Sequence, residues 1–125
     1  LIWRIQDRHT FVDLRRSGLR VKASTFQVSF VPDLGAIGSP PRLAFSVPRK
    51  VGNAVERNLI RRRLRSVFRG LVADPTVEIG SGAYLVSVRT GALTSTYEEL
   101  TMELREGLER LAHLVARRSG RPSDG

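Results

Sequence analysis

The chain has no cysteine among its 125 residues. That removes disulfides, thiolate-bound metals and a thiol nucleophile. A reducing compartment suits such a chain, and a cytoplasmic location is expected. Histidine is almost as scarce: His9 and His113 fall in separate segments, with no carboxylate constellation around either. No cluster has metal-ligand spacing. The sequence therefore offers neither a catalytic residue nor a metal site of its own. No run of about 18 apolar residues exists, which excludes a membrane-spanning helix. The first ten residues, LIWRIQDRHT, do not read as a signal peptide, because Arg4 interrupts the apolar run after three residues. Acidic residues are also few, 12 against 21 basic, so the net charge is +9 and the pI about 11.4.

Lysine contributes only Lys22 and Lys50 to that surplus; the other 19 basic residues are arginine. So large an imbalance in a small chain points to a polyanionic partner, nucleic acid above all. Arginine suits it, since its planar fork pairs with phosphate at two points and stacks on bases. The length favours one domain, assigned to residues 1–116, with RRSGRPSDG at 117–125 as a flexible basic tail.

Along the chain, DRHTFVDLRRSG (7–18) reads as a short helix, with Asp7 or Thr10 at its start and Gly18 past its end. TFQVSFV (25–31) and LAFSV (43–47) alternate in the strand manner around a Gly- and Pro-rich loop. They are expected to pair as an antiparallel hairpin, with a further short strand at 20–25. A helix follows at 54–72, broken near Pro75. A strand at 83–89 and a helix at 97–116 complete the order. The last helix begins with a capping-box pattern, Ser95 to Glu98 or Thr96 to Glu99. This order gives an α+β domain with one sheet packed on helices. One sheet face is apolar; the other carries Gln27, Ser29, Ala44, Ser46 and either Ser87 or its neighbours, which suits either a ligand surface or plain solvent.

The densest charge lies in GNAVERNLIRRRLRSVFR (52–69). On a helix at about 100° per residue, Ile60, Leu64, Val67, Phe68 and Leu71 share one sector. Asn58, Arg61, Arg62, Arg65 and Arg69 occupy the adjoining one. One helix thus buries an apolar stripe and shows a basic stripe beside it. Between residues 49 and 69 there are eight basic residues and one acidic, Glu56. A merely solvated face usually alternates in sign. Gly52, just before the helix, permits a close backbone approach, but PRKVGNAV lacks the pattern of a nucleotide-hydrolase phosphate loop.

These residues resemble the signature of the bacterial ribonuclease P protein subunit, the RNR motif. Lys50, Val51, Gly52, Ala54, Val55, Arg57, Asn58, Arg61, Arg62 and Arg65 match it. HTFVDLRRSG is similar to the family's first helix, SVPRK to its strand before the motif, and AYLVSVR with STYEEL to its last strand and helix. The resemblance implies a single-domain α-β-β-β-α-β-α fold, like a domain of a ribosomal small-subunit protein, with a left-handed βαβ crossover. It implies a protein cofactor of the endonuclease that removes the 5′ leader from precursor tRNA. In that enzyme the RNA does the chemistry with Mg²⁺, which the RNA mainly holds, and the protein lowers the Mg²⁺ requirement. The protein alone is expected to be monomeric and not catalytic. By the same resemblance Lys50, Arg57, Asn58, Arg61, Arg62 and Arg65 contact the catalytic RNA, and Arg69 extends their stripe. Phe11 lines a cleft for the single-stranded leader. Arg15 and Ser29 stand in that cleft where some members have aromatic residues, which predicts weaker stacking and more phosphate contact. The alternative is a structural RNA-binding protein of ribosomal type without a role in cleavage.

Overall fold

The computed structural model describes residues 3–5, 12–14, 16, 18–32 and 40–118. Five strands form one sheet: β1 (Trp3–Arg4), β2 (Leu19–Lys22), β3 (Phe26–Pro32), β4 (Arg42–Ser46) and β5 (Gly82–Val88). Their spatial order is β1-β4-β5-β3-β2. A helix from Ala54 to Ala73, the arginine helix, joins β4 to β5; a C-terminal helix, Tyr97–Arg118, follows β5. Residues 12–14 and 16 are also helical. The expected α+β order is therefore present. The C-terminal helix takes in the first two residues of the expected tail; 119–125 lie outside the described residues, as do Asp7 and Thr10.

The expected hairpin of β3 with β4 does not form. β5 lies between them, antiparallel to β3 and parallel to β4. Alternation marks a strand but not its neighbour. β5 takes the centre because both its faces are apolar: Tyr84, Val86 and Val88 are buried on one side, and Ala83 on the other. A parallel neighbour requires a crossover, and the arginine helix supplies it. β1 was not foreseen, since two residues carry no periodicity; Trp3 and Arg4 pair with Arg42 and Leu43.

Both helices cover the face that carries Phe26, Val28 and Phe30. All five apolar residues of the arginine helix read from the sequence are buried there, joined by Leu100, Leu104, Leu108 and Leu111 of the C-terminal helix. Tyr84 is the centre of this packing. Its ring lies 4.5 Å from that of Phe30 and 5.5 Å, edge-on, from that of Phe68. Its hydroxyl donates to the Gly80 carbonyl at 2.7 Å, and burial pushes its pKa far above the ordinary phenol value. Such aromatic pairs add about 0.5–1.5 kcal/mol each beyond area burial.

Polar contacts fix the ends of the helices. Thr96 and Glu99 form the second of the two expected capping boxes: Thr96 N donates to Glu99 Oε1 at 2.7 Å, and Glu99 N to Thr96 Oγ1 at 3.0 Å. The buried Thr25 donates from its amide and hydroxyl to the Glu103 carboxylate, at 3.0–3.1 Å. Arg110 donates to the Lys22 carbonyl at 2.8 Å, so the C-terminal helix is tied to the β2–β3 turn twice. Beyond the arginine helix, the amide and hydroxyl of Thr76 both donate to Asp74 and hold its carboxyl pKa below the ordinary value.

On the other face, Ile5, Leu14 and Ala83 form a small second cluster with Val31, Ala44 and Leu85. This face is thus partly roofed and not wholly open. β5 begins at Gly82, whose φ of 151° disfavours any other residue. A Cβ there would lie 2.4 Å from the Val31 carbonyl oxygen and 2.5 Å from the Phe30 ring. Gly82→Ala is expected to cost about 2–4 kcal/mol, read as a lower urea midpoint with an unchanged slope.

Candidate nucleic-acid interface

The arginine helix is held at its start by its own residues. Asn53 Oδ1 accepts from Glu56 N, and Glu56 Oε1 accepts from Asn53 N, both at 2.8 Å. This capping box was not read from the sequence, although N-x-x-E spells it. It explains the glycine before it: a Cβ on Gly52 would sit 2.8 Å from Glu56 Oε1 and 3.0 Å from Glu56 Cβ. It also puts a carboxylate at the positive end of the helix dipole, so the helix N-terminus is not an empty anion site.

The basic stripe stands beside the buried one, as the wheel required. Asn58, Arg62 and Arg69 are exposed, and Arg61 and Arg65 half-buried. Arg61 Nη1 donates to Asn58 Oδ1 at 2.9 Å, which steadies the guanidinium one turn along. Arg57 lies nearer the core, and its Nε is buried with no hydrogen-bond partner among the described residues. Lys50 is exposed in a short 3-10 turn, Arg49–Val51, that leads into the helix.

Behind the helix bundle the sheet holds a cleft of about 480 Å³. The strand registers set its floor in two rows. Ser46 lies opposite Ser87, and Ser87 opposite Gln27; Leu85 lies opposite Ser29, and Ser29 opposite Arg20. Leu14 and Phe45 complete the lining. Ser29 is among the lining residues and is only 3% exposed. Arg20 Nη2 donates to the Leu14 carbonyl at 3.2 Å, joining the helical residues to the sheet edge. Phe11 and Arg15 lie outside the described residues.

The stripe reaches the sheet at one contact. The Arg65 guanidinium stands 5.5 Å from the centre of the Phe45 ring, within cation–π range. Phe45 lies opposite Val86 and packs on the main core, so its half-buried ring belongs to the face the helices cover, as the alternation of Leu43, Phe45 and Val47 predicts. The cleft lies on the other face, and Phe45 stands only at its border.

Comparison with known proteins agrees with this geometry. The model of the Ribonuclease P family matches residues 2–112. The ribonuclease P protein component of Nocardioides sp. is 33% identical, with 86% of this chain and 90% of the relative covered. That of Brucella melitensis biotype 1 is 32% identical, covering 95% and 84%. The structure of the Staphylococcus aureus RNase P protein superposes with a TM-score of 0.74 at 27% identity, covering 87% of this chain and 94% of that one. The Thermotoga maritima RNase P protein shares the fold, with a TM-score of 0.72 at 24% identity, covering 86% and 96%.

The cap can be tested directly. Asn53→Ala removes one half of the box and is expected to cost about 1 kcal/mol. Hydrogen exchange should quicken at the Glu56 amide and its neighbours, while amides near Phe68 keep their protection.

Proposed function

Because the chain belongs to the ribonuclease P protein family, we propose that it acts as the RNA-binding cofactor of that tRNA-processing ribonucleoprotein. In this reading the arginine helix binds the catalytic RNA and the sheet cleft receives the single-stranded 5′ leader of precursor tRNA. The observation that carries it is the arginine helix itself, whose Asn58, Arg61, Arg62, Arg65 and Arg69 line one side while Ile60, Leu64, Val67, Phe68 and Leu71 are buried on the adjoining one.

The chemistry of the lining supports this division of labour. Exposed guanidiniums pair with phosphates and are steered to them over a distance of several ångströms. The cleft offers hydroxyls and an amide, groups that hydrogen-bond ribose and base edges. With Ser29 and Arg15 at positions that are aromatic in some members, the leader is held more by hydrogen bonds and phosphate contact than by stacking. The reading leaves Mg²⁺ to the RNA, gives the protein alone no activity, and puts it in the cytoplasm as a monomer until RNA binds.

Two measurements test it. Arg61→Ala with Arg65→Ala should weaken binding to a ribonuclease P RNA and lower the slope of log K against log salt by about one to two units; an unchanged slope would remove the stripe from the interface. The second is cleavage of a precursor tRNA by a bacterial ribonuclease P RNA at limiting Mg²⁺. The wild-type protein should restore cutting at the mature 5′ end and be inert by itself. Tight binding without any help to cleavage would instead favour a structural RNA-binding protein of ribosomal type.

A further inference from the structure

The arginine helix carries one side chain that neither the core nor the charge explains. Val55 is 76% exposed, the most exposed of the large hydrophobic side chains among the described residues. It precedes Arg62 by seven residues, which puts the two about 20° apart around the helix. Val55 therefore stands at the Arg62 edge of the basic sector, far from the apolar one. With Asn58, Arg61, Arg62 and Arg65 it borders a shallow hollow of about 410 Å³.

The hollow has two chemically different ends. At the Val55 end, the amides of Asn53 and Glu56 are already bonded within the capping box, and the Glu56 carboxylate stands in the same turn. A phosphate there would face a like charge in the Glu56 carboxylate. Between about one and a half and three turns further on, three guanidiniums follow. A nucleotide divides in the same way, with a flat, largely apolar base and anionic phosphates to either side. Asn58 gives its side-chain oxygen to Arg61, which leaves its N–H groups to donate to a base edge.

We propose that this hollow receives an unpaired, unstacked RNA base against Val55, with the flanking phosphates on Arg61, Arg62 and Arg65. The proposal rests on the arginine face being an RNA face. It adds that this face selects a bulge or loop over a continuous duplex. In an A-form helix the bases are stacked inside and the deep groove is too narrow for side chains, so only a splayed base can reach Val55.

The test uses two RNA hairpins of equal length and charge, one fully paired and one with a single unpaired 2-aminopurine in the stem. Binding is followed by anisotropy across a salt series. The wild-type chain should prefer the bulged hairpin about tenfold, and 2-aminopurine fluorescence should rise on binding as the base leaves its stack. Val55→Ser, at an exposed first-turn position, should keep the salt slope and the affinity for the paired hairpin but lose most of that preference and of the fluorescence rise. Arg61→Ala with Arg65→Ala should weaken both hairpins alike and flatten the slope. Equal wild-type binding to the two hairpins, or a Val55→Ser chain that keeps the preference, overturns the base site while leaving the RNA face intact. An arginine pair that can be removed without effect on either hairpin overturns both.

Discussion

The packing of Phe68 against Tyr84 is the contact on which the rest of this molecule turns. It joins the arginine helix to the central strand and sets the rotation of that helix about its own axis. With 3.6 residues per turn, the buried side fixes the exposed side. Ile60, Leu64 and Leu71 continue the same line of contact, and together they aim Arg61, Arg62 and Arg65 outward along the edge of the core. A rotation of one residue would bury guanidiniums and expose leucines. The functional surface is therefore specified by the apolar residues that never touch a partner.

Charge distribution adds a second layer. Arg61, Arg65 and Arg69 succeed one another at four-residue spacing, and each like-charged pair costs a few tenths of a kcal/mol. The ion pair that joins Arg105 to Asp74, exposed and at 3.8 Å, lies away from the stripe. The acidic residues gather instead on the C-terminal helix, which meets the β2–β3 turn through Glu103 and Thr25. Apart from Glu56 at its start, the arginine helix carries no acidic residue to compensate its cationic field. An anionic partner would relieve the strain in the stripe and so stabilise the fold it binds.

What could be read from the sequence followed from periodicity. The two stripes of the arginine helix, the Thr96–Glu99 cap and the apolar faces of β3 and β5 all repeat at fixed spacings, and the structure keeps them. What could not be read depended on contacts remote in sequence. Nothing local says that β5 enters between β3 and β4, so the hairpin expectation failed. β1 is too short to show a pattern. The Asn53–Glu56 cap was legible but passed over, because attention went to Gly52 as a route for a phosphate; its role is to leave room for the Glu56 side chain. Ser29 was named for the cleft on resemblance, and the registers of β2, β3 and β5 set it in the cleft floor.

The central position of β5 bears on how the chain assembles. β3 and β4 are made early, yet neither has its long partner until residues 82–88 emerge. Before then one edge of each waits unpaired, with Phe26, Phe30 and Leu43 uncovered. Contacts between distant segments form slowly because the intervening loop must first be closed. The arginine helix can form locally in that interval, but it has no Tyr84 to pack on. Sheet closure and helix docking thus become a single late event, and a nascent chain cut short before Gly82 would have an arginine-rich helix with nothing to orient it.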